Sequence, residues 1–307
     1  MKSRNFLQYF IITLKGMAMG AADVVPGVSG GTIAFISGIY EELITSINNI
    51  NLSLFKTLRK EGLKAFWTQL NGNFLVALFL GIAISVFSLA KLISWLLINE
   101  PVLLWSFFFG LVIASVFFVG KAIEKWHLGT ITTFIIGAIA AYFITTLPPS
   151  EHTDSMPFLF FSGALAVCAM ILPGISGAFI LVLLGSYKTI LDAVHERDLT
   201  IVATVGFGAI IGLLSFAKIL KWMFSNYKNI TLSLLTGFIL GSLNKIWPWK
   251  EVLETKTYGD KVITVKEANV SPFSFDGDPQ LLYALVLGIF GFSVIFILEK
   301  LASKKEN

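Results

Sequence analysis

Asp23-Val24-Val25-Pro26-Gly27-Val28-Ser29-Gly30-Gly31-Thr32 lies between two apolar segments, and a near copy, Ile171-Leu172-Pro173-Gly174-Ile175-Ser176-Gly177-Ala178, returns at an offset of 147 positions (Pro26 to Pro173). Proline breaks a helix because it lacks an N–H and clashes with the preceding turn, and clustered glycines weaken one further. Inside hydrocarbon, broken backbone survives only where protein shields it or where it lines a wet cavity. Two such breaks at matching places in two halves point to a transporter's binding site. At the same offset Gly16 falls on Gly163, Gly38 on Gly185 and Tyr40 on Tyr187.

The surrounding chain agrees with a membrane setting. Of its 307 residues 55% are hydrophobic and only 14% charged, and the mean hydropathy is +0.79. A soluble protein carries about a quarter charged residues, so the composition specifies an integral membrane protein. The 28 phenylalanines and 7 tryptophans suit lipid-facing helices and interfacial belts. A net charge of +4 might suit nucleic acid, but the lysines cluster at segment ends, as the positive-inside rule expects, and no nucleic-acid partner is expected. Cys168, the one cysteine, allows neither an intrachain disulfide nor a cysteine-built metal site, and in its apolar run it reads as a small buried hydrophobe. Lys2 and Arg4 followed by an apolar run resemble a signal peptide, but residues 10–45 have a counterpart at 157–192, so the segment is expected to be retained.

Apolar runs fall near 6–22, 31–50, 74–98, 102–120, 129–147, 157–172, 176–194, 201–222, 230–246 and 281–298. The runs flanking each Pro-Gly-x-Ser-Gly break are expected to be short paired half-helices, and the others about six full spans. The repeat continues beyond the breaks: Ser88-Leu89-Ala90-Lys91 with Trp95 matches Ser215-Phe216-Ala217-Lys218 with Trp222, now at an offset of 127 (Lys91 to Lys218), and Gly81, Gly110 and Ser115 match Gly208, Gly237 and Ser242. Gly137 and Gly288 extend the correspondence weakly to the final spans. The change of offset marks an insertion in the first half with Lys56, Arg59, Lys60 and Lys64 among Phe55, Phe66 and Trp67, the pattern of an amphipathic interfacial helix.

The expected fold is therefore an all-α integral membrane protein of two inverted-topology repeats, each a re-entrant half-helix hairpin plus about three transmembrane helices. The first repeat, 1–150, holds the hairpin 6–50, the insertion 51–72 and spans within 74–147. The second, 151–307, holds the hairpin 157–194 and spans within 201–298. Three spans per half is an odd number, so the second half enters the membrane upside down. Charge agrees: Lys56 to Lys64, Lys121, Lys125, Lys221, Lys228, Lys300, Lys304 and Lys305 fall on one side, while 98–101 and 148–157 carry acids and neither lysine nor arginine. Both termini are expected in the cytoplasm. The long mixed loop 247–280 stays unassigned.

A helix restarting after Pro26-Gly27 would present the N–H groups of residues 27–32, and a helix N-terminus carries about half a positive charge that suits an anion, phosphate above all. Pro26, Gly27, Ser29, Gly30, Gly31 and Thr32 in the first break, with Pro173, Gly174, Ser176 and Gly177 in the second, form the candidate phosphate site; the bland alternative is a pair of tight turns. Lys91 and Lys218 are candidates to meet an anionic head group at either mouth, against a plain snorkelling role. Asp23, whose counterpart is Met170, is the candidate for a coupling proton or cation, against a simple capping role. Arg4, Arg59 and Arg197 all lie outside the spans. His127, His152 and His195 fall near loops without a nucleophile or metal ligand at useful spacing, and no Walker loop exists. No catalysis, metal or cofactor is expected.

The run Gly16 to Thr32, together with Leu172-Pro173-Gly174-Ile175-Ser176-Gly177, resembles the bacterial polyprenyl-phosphate transporter family typified by PopT, and the likeness covers essentially the whole chain. The resemblance implies a multi-pass protein of the bacterial cytoplasmic (inner) membrane. It further implies a flippase that returns undecaprenyl phosphate, or a related phospholipid, from the outer to the inner leaflet by alternating access. The residues leave a second reading open, a transporter or channel for a small soluble anion. A lipid phosphate bears about −1.5 to −2 charge, and moving it inward opposes an inside-negative potential at about 2.3 kcal/mol per charge per 100 mV, so ion or proton coupling is expected. The preferred chain length and the oligomeric state stay open.

Overall fold

The computed structural model describes residues 4–25, 28–150, 155–258 and 261–303. Helices dominate. The first arm, α1 (Phe6–Val24), opens with a capping box in which Asn5 accepts from the Gln8 amide and Gln8 returns a bond to the Asn5 amide. After the first break come α2 (Gly30–Ile36) and α3 (Tyr40–Asn48). The insertion forms α4 (Leu52–Leu70), interrupted at Gly62, whose φ is +84°. Three apolar helices follow: α5 (Gly72–Asn99), α6 (Pro101–Lys121, with proline at its first turn) and α7 (Leu128–Thr146, capped by His127).

The second half repeats this order. It runs α8 (Met156–Ile171), α9 (Gly177–Leu183), α10 (Tyr187–Glu196), α11 (Leu199–Asn226, capped by Asp198), α12 (Lys228–Ser242) and a 3-10 turn at Leu243–Ile246. The loop left unassigned from sequence holds an antiparallel hairpin, β1 (Lys250–Tyr258) and β2 (Lys261–Asn269), before α13 (Leu281–Ser303). Among the described residues four helices, α5, α6, α7 and α11, are long and apolar enough to cross a membrane, with α8 and the stretch Leu281–Phe296 as shorter apolar helices. The pair α9–α10 bends by 107°.

That bend falls at Gly185, the repeat mate of Gly38, and so divides a run that reads from sequence as continuous. In the first half Gly38 (φ +72°) donates to Phe35 O and Ile39 to Ala34 O; in the second Gly185 (φ +71°) donates to Val182 O and Ser186 to Leu181 O. Both are Schellman closures, which require a residue in the left-handed region, and glycine supplies it at least cost.

Packing follows small residues. Gly81 on α5 stands against the Thr13 carbonyl of α1, and Gly16 of α1 against the Leu78 carbonyl; in the second half Gly208 on α11 stands against the Phe160 carbonyl of α8, and Gly163 against the Val205 carbonyl. The four contacts correspond pairwise at the sequence offsets. Side chains at these positions would hold the backbones apart, and in a lipid setting such close approach supplies the van der Waals attraction that binds helices. The rising register (Gly16 beside Leu78, Gly20 beside Ile82 and Ser85) makes α1 parallel to α5. The remaining long helices exchange partners between halves. Gly110 of α6 meets the Gly288 carbonyl of α13 and Gly237 of α12 meets the Phe134 carbonyl of α7, while Gly291 meets Phe107 and Gly137 meets Leu234. The equivalent of Gly137 in the last helix is therefore Gly291, three residues beyond the weak match to Gly288, because backbone contact and not identity alone sets the alignment.

The two hairpins are not equally packed. In α2 every residue but Phe35 is buried, and Tyr40 at the start of α3 stacks on Phe35 and on Phe224 of α11. In α9 only Gly177 is buried, and in α10 only Ala193.

Candidate functional site

The two breaks meet. Pro26 and Gly27 lie outside the described residues, but their neighbours Val25 and Val28 are fully buried. The Ser29 hydroxyl lies 3.3 Å from the Met170 carbonyl and 3.2 Å from the Leu172 carbonyl, at the end of α8. In return the Gly174 amide donates to Thr32 Oγ1 at 2.9 Å. Gly31 carries no side chain because a Cβ there would stand 2.5 Å from the Ile171 carbonyl oxygen. Gly174 has φ +91° and faces Ser242 and Phe238 of α12 so closely that both its conformation and its space demand glycine. The depth is set by α5: Gly20 stands beside Ile82 and Ser85, so the first corner, one turn further on, falls well inside the length of that helix.

Electrostatically the first corner is already supplied. Carbonyl oxygens at the C-terminal end of α8 face Ser29 to Gly31 at the N-terminal end of α2, so opposite dipole ends meet. The Gly30 amide donates to Asp23 Oδ1 at 2.7 Å, the Gly31 amide to Ser29 Oγ at 3.1 Å and the Thr32 amide to the Ser29 carbonyl at 2.9 Å. The sequence suggested open amides at these positions; three of them have internal acceptors here, and one acceptor is a carboxylate. Asp23 thus sits where an anion bound to this half-helix would sit. At the second corner Pro173, Gly174, Ser176 and Gly177 are buried, and Ser176 makes no cap hydrogen bond to α9.

The comparisons with known proteins bear on these corners. A family model described as VCA0040-like, undecaprenyl phosphate translocase-like, matches residues 19–263. A polyprenyl-phosphate transporter of Vibrio cholerae serotype O1 is 48% identical over 99% of this chain and 99% of its own length. The chain belongs to the undecaprenyl phosphate translocase-like family. A polyprenyl-phosphate transporter of Staphylococcus aureus is 34% identical over 78% of this chain and 86% of its own length. No solved structure matches. In this family member the matched range contains both corners and every candidate site residue from Asp23 to Lys218.

The other candidates lie apart from the corners. Lys91 and Lys218 occupy exposed faces of α5 and α11, each one turn before an exposed tryptophan, Trp95 and Trp222. Among the described residues no hydrogen bond or ion pair joins either lysine to a corner. Lys15 instead donates to the Ser37 carbonyl, at the C-terminal end of α2. Arg4 grips Glu42 with two parallel bonds of 2.5 and 2.7 Å, and Asn71 donates to the same carboxylate. The Cys168 thiol donates to the Gly212 carbonyl between α8 and α11, and Cys168 is half-buried where its apolar run suggested full burial.

Proposed function

We propose that this family member moves polyprenyl phosphate, with undecaprenyl phosphate as the expected lipid, between the leaflets of the bacterial inner membrane, from outer to inner, by alternating access. The observation that carries the reading is the direct contact of the two Pro-Gly corners through Ser29, Leu172, Thr32 and Gly174. A polyprenyl tail needs no polar path, so only the phosphate must find one, and a junction of two broken helices inside the protein is a polar spot within apolar surroundings. The residues proposed to meet the phosphate are Ser29 to Thr32 and Pro173 to Gly177 with the preceding Pro26 and Gly27, and Lys91 and Lys218 as outer contacts on the two long helices.

We take the two halves to be inverted relative to one another, the arrangement that alternating access uses. In α12 Gly237 meets Phe134 and Ala138 of α7, and Gly241 meets Ala138 and Ala141, a rising register that makes the two helices parallel. We infer that the six residues 122–127 between α6 and α7 return the chain across the membrane, which would set α6 and its counterpart α12 in opposite directions. We place both termini on the cytoplasmic side, in accord with the lysine distribution.

Asp23 is assigned the coupling role. Its carboxylate occupies the Gly30 amide, and a proton or cation arriving there would free that amide for the phosphate. Flipping of a labelled polyprenyl phosphate in proteoliposomes, with and without a proton gradient, tests both claims. Gradient-dependent flipping is expected for the wild type and gradient-independent, slower flipping for Asp23→Asn. Absence of flipping in the wild type defeats the function; an Asp23→Asn protein as gradient-dependent as the wild type removes Asp23 from it.

A further inference from the structure

Lys245, Lys250 and Glu267 form a part-buried charged cluster that the corner chemistry does not use. Lys245 Nζ lies 3.3 Å and Lys250 Nζ 3.4 Å from the same oxygen, Glu267 Oε2. The Lys250 side chain is only 8% exposed, and its ammonium stands 4.1 Å from the centre of the Trp105 ring and donates to the Lys245 carbonyl at 2.6 Å. Two cations sharing one carboxylate oxygen leave a surplus positive charge in a part-buried site, which a further anion would balance. A hairpin anchor needs one such pair; the second lysine adds charge without adding an acceptor.

The cluster also lies next to the second corner. Ser242, at the end of α12, packs on Gly174, and one turn later Lys245 holds its ammonium 5.1 Å from the centre of the Phe179 ring of α9. That half-helix is the one whose serine makes no cap bond. The support is rigid: the Trp247 indole donates to the Val270 carbonyl and the Trp249 indole to the Pro279 carbonyl, and Trp247 packs edge-on against Phe109 of α6.

We infer that Lys245 and Lys250 form a phosphate-monoester site beside the second corner, with Glu267 holding the two ammonium groups until a phosphate takes its place. A monoester brings about −1.5 to −2 charge and three acceptor oxygens, enough to satisfy both lysines at once. The inference deepens the transport reading and rests on it for the identity of the lipid.

The test measures affinity of the full-length protein in nanodiscs for a polyprenyl monophosphate and, separately, for inorganic phosphate. Lys245→Gln should weaken polyprenyl phosphate binding at least roughly tenfold, the loss of one charge-assisted bond. Glu267→Gln, which removes the internal competitor, should tighten it. Opposite signs are the signature, because a merely structural cluster would lose binding and melting temperature together in both variants. Unchanged affinity in both variants, or parallel weakening, overturns the site while wild-type lipid binding leaves the transport reading intact. If inorganic phosphate binds as tightly as the lipid and responds to the variants with the same opposite signs, the site stands and its ligand is soluble phosphate, which counts against the lipid reading. Lys250 is too buried to serve as the primary variant, so Lys245→Arg, which keeps the charge, is the control expected to retain binding.

Discussion

The Thr32 hydroxyl accepts the Gly174 amide hydrogen at 2.9 Å, across 142 positions of sequence. Each half of the chain thereby completes the other's break, since a buried amide at a proline–glycine turn has no helical partner of its own. Replacing Thr32 by valine keeps the shape and removes the acceptor. The expected cost is about 1–3 kcal/mol, the desolvation of an orphaned donor, read as a lowered melting temperature in detergent, and Thr32→Ser should restore most of it.

Gly31 and Gly206 make a matched pair for testing how tightly the corners fit. A Cβ on Gly31 would meet the Ile171 carbonyl oxygen at 2.5 Å, whereas one on Gly206 would meet nothing within 4 Å. Gly31→Ala should abolish or strongly slow lipid flipping and cost about 1–3 kcal/mol of stability through overpacking. Gly206→Ala should lower neither, since alanine is the better helix former, and equal loss in the two would show that corner contact is not at issue.

The charged cluster sets a pH dependence outside the spanning helices. Burial pushes the Lys250 amine down from 10.5 to about 8, against the pull of Glu267. Between those two pH values the unfolded chain holds a proton at Lys250 that the folded chain has released, so the contribution of Lys250 to stability rises with pH across that window. The difference in melting temperature between wild type and Lys250→Met should accordingly move in favour of the wild type from about pH 8 to pH 10. Burial alone would raise the Glu267 carboxyl, but the two ammonium groups hold it below its ordinary value. Its stabilising share is thus present above the ordinary carboxylate range and lost as pH falls through the lowered value.

The helix α4 should lie in the membrane surface. Leu52, Phe55, Leu63 and Trp67 are exposed along it beside Lys56, Arg59, Lys60 and Lys64. A spin label at Leu63→Cys, in a Cys168→Ala background, should report a depth of about 5–10 Å below the headgroup boundary. A fully aqueous label would remove α4 from the interface.

Much of this was legible in the sequence, and the misses have physical causes. The Pro-Gly corners were readable because proline and glycine constrain the backbone whatever surrounds them, and the contacts of Gly81 and Gly208 were prefigured by their offset. Gly38 and Gly185 are legible as repeat mates but not as breaks, since a lone glycine in an apolar run has no proline to mark the turn. Asp23 reads from sequence as a coupling candidate or a cap, and neither role foretells that its carboxylate occupies the place assigned to the ligand, on the Gly30 amide. The hairpin at Lys250–Asn269 went unread because its alternation is interrupted by lysines and a bulge. Lys245, Lys250 and Glu267 could not be joined from spacing alone; the one signal was the interleaving of Trp247 and Trp249 with the two lysines.

The glycine contacts between α1 and α5, and between α8 and α11, have a mechanical consequence. With carbonyls set directly against glycine and no side chain to act as a cushion, each couple behaves as one strut that can swing but cannot stretch or slide by small steps. Rearrangement then falls to the breaks outside these struts, among them the articulations Gly38 and Gly185. Of the two, the joint at Gly185 leads into α10, where among the described residues Ala193 is the buried one.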